Sequence, residues 1–209
     1  MVSRAILAGL LLLAAMPVCA EPARSPNSGA FEQRVVAILD AGGSVDTIQG
    51  RLGRVGADRS LTHDQRVAID AVQALVRRKN RPKGMSLAEA EAFAARNSGS
   101  PASGMVLAEA LLANDEPQRS ADTLLAAVAR WGSMVQLISP VTISRLSAEL
   151  DELGDTERAA NLGKALTNAG WSRGSASLRS YLAMAAIRRD LAAGRFEEAR
   201  RLLRAAQSP

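Results

Sequence analysis

A glycine, an alanine five residues later and a leucine three beyond that recur toward the C-terminus, and this recurrence limits the fold more than any other feature of the chain. Gly194, Ala199 and Leu202 form one copy, with Ala206 seven after the alanine. Gly154, Ala159 and Leu162 form another, with Leu166 at the same offset. A third is centred on Ala121, followed by Leu124 and Val128, with a slightly longer turn at Asn114-Asp115 in place of the glycine. Offsets of three and seven share one stripe of an α-helix and would scatter over both faces of a strand. A glycine just before such a stripe supplies the left-handed backbone that ends one helix and turns the chain. The small alanine lets a partner helix approach; a bulkier residue there would overpack by about 1–3 kcal/mol. Residues 191–206 therefore read as a helix end, a turn at Gly194 and a second helix folded back on the first.

The spacing is 38 residues from Ala121 to Ala159 and 40 from Ala159 to Ala199. Self-similarity at that period marks stacked helical units. Trp131 and Trp171, also 40 apart, each follow a second helix. They read as wedges between neighbouring hairpins rather than as a pair that stacks a ligand, because bulky aromatics mostly serve packing. The segments GDTERAANLGKAL and GRFEEARRLL resemble the second-helix half of tetratricopeptide repeats, with Gly154 and Gly194 at the turn and Ala159 and Ala199 in the helix. The resemblance covers roughly residues 101–207 and implies an all-α, right-handed α-α superhelix of about five helical hairpins. The chain departs from that pattern in its longer period, in Ile187 where a small first-helix residue is expected, and in Trp171 where a proline closes a unit. The family's ligand positions lie mostly on first helices, where the match is poorest, so none is carried over.

The N-terminus reads as a cleavable secretory signal. Arg4 precedes an apolar run at 6–16, too short to span a bilayer with margin, and Val18-Cys19-Ala20 is a small-residue cleavage site. Cleavage after Ala20 removes the one cysteine, so the mature chain forms no disulfide and holds no thiolate metal site. Lipidation at Cys19 is disfavoured by Pro17 and Val18. Residues 21–29, with two prolines, read as a disordered lead-in. No second long apolar run follows, which implies a mature chain without a transmembrane segment, placed in the periplasm or secreted. Its charge falls from +5 to +4 with the loss of Arg4, too mild and too mixed in sign to argue for nucleic acid. Aromatics make up 3% of the chain, so alanine and leucine must do the packing, which suits close helices.

N-terminal helical hairpins are expected over 30–100 and the repeat-like units over 101–207, continuous with them. Ser44 reads as a helix cap, Thr62 with Gln65 and Ser86 with Glu89 as capping boxes, and Ser139-Pro140 as a helix start. Stripes are expected at Ile143, Leu146, Leu150 and Leu153, and at Leu178, Leu182, Ile187 and Leu191. The pattern gives about ten helices in five hairpins.

Little in the chain points to chemistry. His63 is the only histidine and lies beside a helix cap. No nucleophile elbow, phosphate loop or dinucleotide fingerprint occurs. The acidic pairs Asp151-Glu152, Asp155/Glu157 and Glu197-Glu198 fall at helix ends, where solvation and the helix dipole account for them better than general acid–base work. These readings imply a non-enzymatic protein without cofactor or metal, whose business is to bind a protein or peptide on a curved helical surface. The alternative rests on Arg77, Arg78, Lys79, Arg81 and Lys83, five cations in seven residues, as an envelope-surface contact for anionic lipid or glycan. The sequence ends directly after a repeat helix. That leaves three openings: a helix that caps itself, one that meets a partner, or a shortened form of a longer repeat protein.

Overall fold

The computed structural model describes residues 28–78 and 86–207. The signal-peptide segment 1–20 and three cations of the basic run, Lys79, Arg81 and Lys83, lie outside the described residues. Among those described, the chain is all-helical: α1 (Ser28–Asp40), α2 (Val45–Gly56), α3 (His63–Arg78), α4 (Leu87–Arg96), α5 (Ala102–Ala113), α6 (Pro117–Trp131), a 3₁₀ helix (Gly132–Leu137), α7 (Pro140–Glu152), α8 (Thr156–Asn168), α9 (Ala176–Ala192) and α10 (Phe196–Gln207). Helix α1 begins inside the expected lead-in.

The helix starts follow the capping chemistry. The Thr47 backbone N–H donates to Ser44 Oγ at 3.2 Å. Thr62 and Gln65 satisfy each other's backbone N–H groups at 3.2 and 3.0 Å, and Ser86 and Glu89 do the same. The turns repeat as closely. Gly154 and Gly194 hold φ of +68° and +70°, and Asp115 holds +59° in the copy that lacks the glycine. In each, the next N–H reaches back five residues: Glu116 to Leu111 O, Asp155 to Leu150 O and Arg195 to Asp190 O, all between 2.8 and 3.0 Å. Ala121, Leu124, Ala159, Leu162, Ala199 and Leu202 are all buried, as the stripe requires, whereas Ala206 at the end of the last copy is exposed.

Helix α5 is the pillar. It is apolar on all sides, with Met105, Val106, Leu111 and Leu112 buried, and α3, α4 and α6 all lean on it. It meets α6 closely: a Cβ added at Gly104 would come within 2.8 Å of Ala127 Cβ, and Ser120 Oγ donates to Ala108 O at 2.7 Å. Among the described residues, α3 and α4 do not form the hairpin expected between them; both pack against α5 instead. The reason is that α5 offers apolar surface on every side, whereas α4 buries a single alanine, Ala90.

Helix α1 also departs from a nearest-neighbour stack. Besides α2 it packs on the 3₁₀ helix, where Ser133 Oγ donates to Glu32 Oε1 across 101 residues of sequence, and Arg173 pairs with Asp40 at 2.8 Å. Trp131 and Trp171 are buried within the same core, and the Trp171 indole donates to Ile138 O at 3.3 Å. They are packing wedges. One contiguous core runs from Phe31 to Leu182; Ala186, Ile187, Ala199 and Leu202 form a separate cluster of four between α9 and α10.

Candidate functional site

The last hairpin carries the features that the core does not explain. Helix α9 is held on α8 by backbone proximity. A Cβ at Gly163 would come within 2.4 Å of Leu182 O, so only glycine fits there. Beyond that contact the junction turns polar. The turn register shows that Asp190 occupies the position held by Leu111 and Leu150 in the preceding units. Asp190 is fully buried, and its carboxylate collects cations from three directions. Arg195 Nη2 and Arg189 Nη2 reach Oδ1 at 2.9 and 2.6 Å, and Lys164 Nζ lies 3.6 Å from Oδ2. The lysine contact is a charge pair longer than a hydrogen bond. Burial opposes ionisation of Asp190, yet the hydrogen bonds from Arg189 and Arg195, with the Lys164 charge, prevail and hold its pKa below the ordinary value. Lys164 also meets Glu198 of α10 at 3.1 Å, so the node ties α8, α9 and α10 together.

On the opposite side of α9, Tyr181, Met184, Arg188 and Leu191 follow helical spacing and form an exposed stripe. Tyr181 Oη donates to Asp151 at the end of α7, and burial together with that bond pushes its pKa up to about 12. On α10, Phe196 (64% exposed) and Leu203 share a stripe of their own. Counting outward from the turn at Gly194, Phe196 falls level with Leu191 and Leu203 with Met184. Five of the seven large apolar side chains exposed among the described residues lie on this hairpin, so the exposed apolar surface is gathered at one end. At the other end of the hairpin, α8, α9 and α10 enclose a cleft of about 620 Å³, lined in part by Trp171, Arg179, Leu182, Ala183 and Ala205. Arg179 Nη1 is engaged there by Ser172 O at 3.0 Å and by Gly174 O.

Two sequence expectations are corrected here. Leu153 and Leu191 were expected on inner stripes, but they are 58% and 49% exposed. Leu153 is the C-cap residue of α7 and Leu191 lies one residue from the end of α9, where no neighbouring helix reaches over them. The Asp190 node and the outward stripe of α9 were not foreseen. The register with Leu150 is the signal that could have found the first.

The remaining candidates resolve simply. His63 is exposed at the start of α3. Asp155 caps α8 by accepting from the Arg158 N–H at 3.2 Å, and Glu197 pairs with Arg200. No group of three or more histidine, cysteine, aspartate or glutamate side chains that could hold a metal occurs among the described residues. Of the basic run, Arg77 and Arg78 end α3, and Arg77 Nε donates to Gln49 Oε1 at 3.3 Å. No described helix is long and apolar enough to cross a membrane. No protein-family model, no curated protein and no solved structure matches the chain.

Proposed function

We propose that the chain is an exported, non-enzymatic scaffold, a tetratricopeptide-like superhelix that binds a protein segment on its last hairpin. The concentration of exposed apolar side chains on α9 and α10 carries this reading. Water-facing apolar groups gathered on one hairpin, five of the seven among the described residues, are what a partner surface needs. The repeated turn geometry and the buried alanine stripe support the relation to helical repeats. Export rests on the segment 1–20.

The test is photo-crosslinking in cells from a reactive side chain placed at Met184, against the same group at Glu157 on the exposed start of α8. The expected outcome is discrete protein adducts from position 184 alone. Equal adducts from both positions, or none from 184, would overturn the reading. A contact with an anionic surface through 77–83 ranks second, because Arg77 already bonds Gln49. It predicts vesicle binding that salt screening removes.

A further inference from the structure

We infer that the outward stripe of α9 seats an acidic amphipathic helix, one carboxylate of which pairs with Arg188; this rests on the scaffold reading above. Other arginines of α9 and α10 are answered from within the chain: Arg189 and Arg195 by Asp190, Arg200 by Glu197, Arg201 by Glu198, and Arg179 by the carbonyls of Ser172 and Gly174. Arg188 is different. It is exposed, it lies between Met184 and Leu191 on the stripe, and no acidic side chain among the described residues pairs with it. A partner that covers the two apolar neighbours must also cover this guanidinium. Its desolvation is compensated most fully by an anionic group opposite, which supplies the opposite charge as well as acceptors.

The stripe also sets the partner's shape. From Tyr181 to Leu191 it runs about 15 Å along a straight helix, with apolar contacts one and two turns apart. A second helix matches that ridge by packing its own i, i+3 and i+4 side chains beside it. An extended peptide would find no strand edge to pair with among the described residues. The molecule already uses the same chemistry one unit earlier. Where α9 seats on α8, Lys164 of one helix faces Asp190 of the other across a close helix–helix contact.

A second copy of this chain is the poorer occupant. A two-fold contact centred on the stripe would bring the two Arg188 side chains within about 6 Å of each other along the helix axis, and like charges repel in a drying interface.

The test uses the full chain and two fluorescent synthetic helices of about 18 residues, each with a leucine stripe, one flanked by glutamates and the other by lysines. Anisotropy should show the glutamate helix binding at least about tenfold more tightly than the lysine helix. Arg188→Glu should reverse that preference, and Met184→Asp should abolish both. Circular dichroism should show all variants folded, since both positions face water. Equal binding of the two helices, unchanged by Arg188→Glu, would overturn the proposal. So would binding of neither, even where crosslinks from position 184 persist and the scaffold reading stands. Dimerisation lost in Met184→Asp would assign the face to a second copy, and binding to anionic vesicles lost in the same variant would assign it to lipid. Either result would overturn the proposal.

Discussion

Leu162 and Leu202 hold the same place in successive units and are equally buried, yet one belongs to the main core and the other to a cluster of four. Around Leu162, α8 is touched by α6, α7 and α9. Around Leu202, α10 meets α9 and, more weakly, α8. The difference teaches that a local motif can specify a hairpin without specifying how firmly it is anchored. Anchoring depends on what the neighbours supply. For α10 they supply a buried carboxylate where the unit before supplies Leu150.

The largest expected effect lies on the core side of this contrast. Leu162→Ala should cost about 3–5 kcal/mol and lower the urea midpoint of the whole molecule. Leu202→Ala should cost roughly 2–3 kcal/mol, because fewer neighbours line the cavity, and hydrogen exchange should show the loss in α9 and α10 first. Equal, global effects of the two would erase the distinction. Gly163→Ala should cost about 2 kcal/mol, since the new methyl meets the Leu182 carbonyl and one backbone must yield. That loss should loosen the last hairpin while leaving α5 and α6 protected.

Asp190→Ala should cost about 1–2 kcal/mol. That is less than a fully buried pair would lose, because Arg195 is half exposed and regains water. Asp190→Leu should recover most of it by restoring the residue type of the previous unit. Because the Asp190 pKa is depressed, its stabilisation is present above the ordinary aspartate value of 3.8 and is lost as pH falls through and below it. Glu32 makes the opposite case in the main body. Burial raises its pKa despite hydrogen bonds from the backbone and Ser133, so the native state loses stability as pH rises above the ordinary value of 4.5. Glu32→Gln should stabilise at neutral pH by no more than about 1 kcal/mol and should flatten that slope in thermal melts.

The fold was legible where a residue acts on its immediate neighbours. Ser44, Thr62 and Ser86 announced their helices, and Gly154 and Gly194 announced their turns, because capping and positive φ are local demands. Long-range choices were not legible in this way. The preference of α3 and α4 for α5, and of α1 for the 3₁₀ helix, depends on which surface remains open after the other helices have packed. The same limit hid the outward stripe. Leu191 has the right spacing for an inner position, and only the absence of a covering helix makes it exposed.

The contact between Glu32 and Ser133 also sets an order of events. Among the described helices α1 is made first, and its 3₁₀ partner lies about a hundred residues further along; closing a loop of that length is slow compared with forming any single hairpin. Until then Phe31 and Val35, both buried in the finished molecule, have α2 but not the 3₁₀ helix to cover their face. A growing chain therefore keeps part of an apolar helix face uncovered until its middle has emerged, and in this interval a chaperone would find that face to hold.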